Sequence, residues 1–222
     1  MTGRHTLFAL AAFVLVLGSC AGKRDYGNMS AEEIFTEATE KAEKRRDSSK
    51  EAAIEMFKEI QIRHAFSSYA SLASVKTADV YFSQDRYRSA ADQYKKFISD
   101  NPKHDLRKHA MRRIGLSFFN MKESPKRDQS PCRNAIYWYQ TFLSYYPDSS
   151  EGESIQSDIN KCSALISESE LQIGKFYMKR GEHEAARRRF TELADNFPKT
   201  EAARKSAKLL SELPPPEPQQ EP

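Results

Sequence analysis

The 222-residue chain predicts an all-α protein made of stacked helix pairs, and three observations carry that reading. The first is a register that recurs ahead of three prolines. Ala90, Tyr94 and Phe97 stand twelve, eight and five residues before Pro102; Ala135, Tyr139 and Phe142 keep those offsets from Pro147, and Ala186, Phe190 and Leu193 from Pro198. A fainter copy, Ala53, Phe57 and Ile60, keeps the same offsets from Ala65. The second is that only eight glycines are present, too few for a sheet full of tight turns or for glycine-rich phosphate loops. The third is that 13 Phe and 10 Tyr demand a core, although the mean hydropathy is −0.74 and 30% of residues are charged.

The N-terminal element is an unbroken apolar run from Leu7 to Leu17, preceded by Arg4 and His5. As a helix it would reach roughly 16 Å, against about 30 Å for a bilayer's hydrocarbon core, so it reads as a signal-peptide core over residues 1–19. It ends in Leu17-Gly18-Ser19-Cys20, which resembles the bacterial lipobox. The small residues suit a narrow cleavage site, and the Cys20 thiol is a nucleophile for a diacylglyceryl group. Each buried acyl methylene contributes about 0.8 kcal/mol, so several chains hold a protein on a membrane. An ordinary signal peptide with a chance cysteine is the alternative. Ala21 stands where inner-membrane lipoproteins typically carry Asp, which favours the outer membrane by resemblance. Residues 20–30 then read as a flexible tether.

Helices are expected at about 31–46, 50–63, 69–84, 87–100, 105–122, 132–145, 152–180, 183–196 and 200–212, together an array over 31–213. Tyr81 and Tyr177 each lie 21 residues before their proline, and Ala78 and Gly174 lie 24 before. These offsets resemble the roughly 34-residue tetratricopeptide repeat, a helix–turn–helix with small residues where its helices cross. The third copy parallels the fourth at Ile114-Gly115-Leu116-Ser117-Phe118, but Phe118 lies 29 residues before Pro147, so eight residues are inserted. Pro125, Lys126, Arg127, Asp128 and Pro131 make that insertion a loop. Stacked pairs form a superhelix whose concave surface is lined by the first helix of each pair. In repeat register the groove-facing positions are Leu72, Val75, Asp79 and Phe82 in the second copy, with His109, Arg112, Leu116 and Phe119 in the third. Aromatic stripes at helical spacing also serve as core, which leaves Phe82 and Phe119 open to packing between repeats. Pro214 to Pro222 holds half of the ten prolines, together with Glu217 and Glu221, and reads as an extended polar tail.

Chemistry of other kinds finds little material. Five His and three Cys make a poor stock for a zinc or iron–sulfur site, and His104 and His109 lack the i, i+4 spacing of two ligands on one face. Nucleophile elbows, calcium loops and phosphate loops are absent from the sequence, so neither an enzyme, a metal nor a cofactor is expected. A net charge of +4, with both signs interleaved, does not describe a nucleic-acid binder. Cys132 and Cys162 fall on two successive helices that should pack together. In an oxidising compartment they would pair as a disulfide; otherwise they are two buried free thiols.

The lipobox followed by about four such repeats resembles the BamD family, the lipoprotein subunit of the machine that inserts β-barrels into the bacterial outer membrane. The similarity is densest over Glu170 to Gly181 with Ala185, Ala186, Arg189 and Phe190, and over Arg63 to Tyr69, where Ala65, Ser67 and Ser68 replace expected Pro and Gly. The inserted loop ending at Pro131 also falls where the family carries one. Instead of a fifth complete repeat, this chain has one helix, about Glu201 to Leu213. The resemblance implies a lipid-anchored protein on the periplasmic face of the outer membrane. It would bind the POTRA domains of a BamA-like partner and unfolded β-barrel substrates, whose last strand would lie in the groove of the early repeats. It also implies that the later repeats face the POTRA domains. Ala186 and Phe190 face inward, so at 100° per residue Arg188 points away from the core with Arg187 and Arg189 on its flanks. These three arginines are the expected partner contact, Arg189 foremost; a solvated face is the alternative. A secretin pilotin or an envelope scaffold is the competing function.

Overall fold

The computed structural model describes residues 26–215. Among them are nine helices: α1 (Ala31–Ala42), α2 (Asp47–Arg63), α3 (Ser68–Ser83), α4 (Tyr87–Asp100), α5 (Arg107–Asn120), α6 (Ser130–Tyr145), α7 (Gly152–Lys179), α8 (His183–Asn196) and α9 (Glu201–Glu212). The fold is all-α, and each helix packs on the next; α1 also meets α3, and α7 also meets α9. That nearest-neighbour order is the tetratricopeptide superhelix. The expected helix at 31–46 stops at Ala42, because Arg46 takes extended backbone and Asp47 puts an acidic group in the first turn of α2. So α2 begins three residues earlier than the spacing suggested, and the basic stretch before it becomes the turn.

The local signals are legible in the ends. Ser30 and Glu33 form a reciprocal capping box on α1, Thr200 caps α9, and Pro131 sits in the first turn of α6, where its missing N–H costs nothing. Within the insertion, the buried amide of Gln129 donates to the carbonyls of Ser124 (2.9 Å) and Arg127 (3.0 Å) and holds the loop closed.

All twelve residues of the recurring register are buried, at 1% exposure or less. They sit in three clusters: one joins α1 to α3, a central one runs from α3 to α7, and one joins α7 to α9. At Gly115 the ring of Tyr139 takes the place of a side chain: a Cβ there would lie 2.5 Å from Tyr139 Cδ1. Gly174 meets Phe190 in the same way. The small and aromatic positions of the repeat are therefore partners across the crossing of two helices.

Candidate functional site

Among the clefts of the early repeats, one gathers several of the expected groove positions. Leu72, Val75, Lys76 and Asp79 from α3 face His109 from α5, with Leu106 and Phe35 closing the ends, around a volume of about 200 Å³. Leu72, Val75 and Asp79 are thus brought together as expected, and His109 joins them. Phe35, Lys76 and Leu106 were not anticipated, because the repeat register is faintest before α2 and does not cover loop residues.

Asp79 organises the cleft. His109 Nε2 lies 3.0 Å from its Oδ1, the Tyr94 hydroxyl donates to the same oxygen, and Arg113 Nε donates to the Tyr94 hydroxyl at 3.2 Å. The Arg113 guanidinium stands 3.7 Å from the carboxylate. Burial pushes the Asp79 carboxyl upward, but the hydrogen bonds from His109 and Tyr94 and the charges of His109 and Arg113 outweigh it and hold the group below its usual value. Burial, and then the Asp79 charge, raise the Tyr94 phenol. The result is a carboxylate kept ionised at the floor of an apolar cleft, with an exposed ammonium, Lys76, at the rim.

The other groove candidates are placed differently. Phe82 is half-buried beneath the Arg113 guanidinium, 3.8 Å from its ring centre, and meets Tyr87 edge-on. Leu116 packs on the central core, and Phe119 is buried there with Lys122 over its ring. Arg112 pairs with Glu151 at 2.6 Å. Of the two basic groups expected beside the groove, one bonds Asp79 and the other bonds the next repeat. The cleft is narrower and less cationic than the register implied, because neighbouring repeats supply carboxylates that helical phase does not reveal.

The three arginines of α8 also separate. Arg188 is exposed, as the helical phase required. Arg187 donates to the carbonyl of Pro214 and pairs with Glu184. Arg189 pairs with Glu170 of α7 at 3.3 Å, and Arg133 of α6 reaches the same carboxylate at 3.0 Å. Glu170 therefore ties three consecutive helices, and the Nε of Arg189 is buried without a hydrogen-bond partner. Of the three arginines, Arg188 is the exposed one, and Arg187 and Arg189 are half-buried in their ion pairs.

Cys132 and Cys162 are both buried and stand as free thiols in contact across α6 and α7. Their mutual hydrogen bond raises the Cys162 thiol, with burial adding to it, and lowers that of Cys132. Cys20, the lipidation candidate, lies outside the described residues, as do 216–222 of the tail. Among the described residues no cluster of metal-ligating side chains occurs, and no helix is long and apolar enough to cross a membrane.

Comparison with known proteins covers nearly all of the described residues. The model of a family described as "YfiO: Outer membrane lipoprotein" matches residues 27–213. The "Outer membrane protein assembly factor BamD" of Vibrio cholerae is 24% identical over 219 residues, covering 94% of this chain and 89% of that protein. The protein of the same name from Rickettsia prowazekii is 26% identical over 87% of this chain and 77% of its own. That of Neisseria gonorrhoeae is 22% identical over 82% and 70%. With the repeat array, its inserted loop and its single terminal helix all inside the matched range, the chain belongs to the YfiO/BamD family of outer membrane lipoproteins.

Proposed function

We propose that this protein is a non-catalytic subunit of the machinery that assembles β-barrels in the outer membrane, anchored through Cys20 and facing the periplasm. The carrying observation is the cleft of the early repeats. Barrel strands alternate apolar and polar side chains and are unpaired before insertion. An extended segment of that kind can place one large apolar side chain among Phe35, Leu72, Val75 and Leu106, while Lys76 at the rim meets a carboxylate. Asp79 serves as scaffold here: its Oδ1 accepts from the Tyr94 hydroxyl and meets His109 Nε2, which ties α3 to α4 and α5 and keeps the cleft in shape. The later repeats, with Arg188 outward, would meet acidic groups of POTRA domains on a BamA-like partner; Arg suits such carboxylate contacts.

Photo-crosslinking probes at Leu72 and Lys76 should trap a peptide of the last barrel strand, while a probe at Gln140, exposed on α6, should not. Equal labelling at all three positions would overturn the groove. Pull-down of the processed lipoprotein should recover a POTRA-bearing barrel, and recovery of a secretin ring would instead support the pilotin reading. Cys20→Ser should release the protein from outer membranes; a variant that still floats with them in the absence of partners would refute the anchor.

A further inference from the structure

The turn from α2 to α3 holds two large apolar side chains in water. Phe66 is fully exposed and Ile62 is 75% exposed. The turn that presents them is ordered by its own backbone. The N–H of His64 donates to the Ile60 carbonyl at 2.9 Å, that of Ser67 donates to the His64 carbonyl at 2.9 Å, and the Ser67 hydroxyl caps α3. The Phe66 ring is therefore held outward by a hydrogen-bonded turn.

This turn stands beside the point where the chain enters the array. Phe35 of α1 meets Tyr69, three residues beyond Phe66, with ring centres 5.3 Å apart. Tyr26 and Met29 pack on the same first cluster. Cys20 is six residues before Tyr26, so covalent geometry keeps its Cα within about 22 Å of that of Tyr26. A lipid anchor at Cys20 thus brings this end of the array to the bilayer surface, whatever path the intervening residues take. The turn from α4 to α5 adjoins the first through Ser71 and His104, 3.1 Å apart. It adds an exposed Lys103 and half-buried Arg107 and Lys108, against the carboxylate of Asp105. Closer in, Arg63 and Lys96 are matched by Glu59 and Asp100. The edge is apolar at its tip and net cationic behind it. Interfacial binding grows with the apolar area buried and with attraction to anionic lipid, and this edge offers both.

We propose that the Ile62–Phe66 turn is a membrane foot: Phe66 and Ile62 enter the leaflet that holds the acyl chains of Cys20, and Lys103 faces lipid phosphates. The foot rests on the anchor proposed above and adds a second contact, which fixes an orientation that a single tethering point leaves free. Leu72 of the substrate cleft lies six residues beyond Phe66, within the first turns of α3. The foot therefore keeps that cleft close to the bilayer that a barrel strand must enter.

The test places benzoylphenylalanine at Phe66, and separately at Gln140, in the full chain on vesicles of phosphatidylethanolamine and phosphatidylglycerol. Irradiation should give phospholipid adducts at position 66, read by mass spectrometry, at least tenfold above those at position 140. Lys103→Glu should lower that yield about fivefold on these vesicles and leave it unchanged on neutral phosphatidylcholine. A chain that floats with the vesicles yet shows no excess at position 66 would overturn the foot. So would adducts at 66 made to protein alone in whole outer membranes, which would make the turn a partner contact. The mass of the N-terminal peptide reads acylation of Cys20 separately. Lipid adducts at 66 with Cys20 unmodified would refute the anchor and support the foot, whereas acylated Cys20 without adducts would refute the foot alone. Unmodified Cys20 without adducts would refute both.

Discussion

Gly115 offers the sharpest test of how the repeats stack. A Cβ added there would lie 2.5, 2.7 and 3.1 Å from Cδ1, Cε1 and Cγ of Tyr139, so the clash falls on the body of a ring and not on a flexible end. The ring cannot swing aside readily: it is 1% exposed, and its hydroxyl donates to Asp158 at 3.3 Å. Relief requires α5 and α6 to separate by most of an ångström. Overpacking of this kind costs about 1–3 kcal/mol, and a pinned ring belongs at the upper end. Against it stands the helix preference of Ala over Gly, about 1 kcal/mol. Gly115→Ala should therefore destabilise by about 2 kcal/mol, a fall of roughly 4–8 °C in Tm for an array of this size. Gly152→Ala is the control, since its nearest neighbour would be Leu143 at 3.9 Å, and it should be neutral or stabilising by up to about 1 kcal/mol. Urea and thermal unfolding followed by circular dichroism measure both. If Gly115→Ala matches or exceeds the parent, or if pairing it with Tyr139→Leu restores nothing, the glycine does not mark a helix crossing and the reasoning fails.

The other predictions concern the charged and sulfur groups. Arg188→Glu should weaken capture of a POTRA-bearing partner, more at low salt than at high, with Tm unchanged, whereas Arg189→Glu should lower Tm because it sets a second carboxylate against Glu170; equal behaviour of the two would contradict the division. Asp79 has a lowered folded-state pKa, so its contribution is complete above the usual carboxylate value near 4 and is lost as pH falls through the lower folded value. The stability gap between the parent and Asp79→Asn should consequently be open at pH about 6 and narrow below about 4; a gap that widens on acidification would show the sign to be wrong. On the proposed orientation toward an oxidising periplasm, the recovered protein should carry Cys132 and Cys162 as a disulfide, closed at the expense of a thiol oxidase's own disulfide. Thiol titration after denaturation should find neither residue reactive, and two reactive thiols there would leave them a buried reduced pair.

The helices and their repeat were legible because burial along a helix is a local, periodic demand. Ala90, Tyr94 and Phe97 must share a face whatever lies opposite, and so must Ala186, Phe190 and Leu193; each came out buried. The same phase argument placed Arg188 in solvent. Leu72, Val75 and Asp79 could be grouped because they recur along one face of α3, but Phe35 and Leu106, which close the cleft they line, belong to no repeated position. The family membership rests on the match over residues 27–213.

What only the tertiary structure decided is which charges are free. Phase tells where a side chain points relative to its own core, but not what the neighbouring helix brings to meet it. Arg112 and Arg189 both point outward by phase, yet Glu151 and Glu170 meet them from other helices, and Arg133, 37 residues before Glu170, meets the same carboxylate. Pairing across that separation depends on the superhelical angle between repeats, which sums many small packing contacts and leaves no local trace. For the same reason the spacing brought Cys132 and Cys162 to neighbouring helices, and contact between the two thiols was settled by how α6 lies on α7.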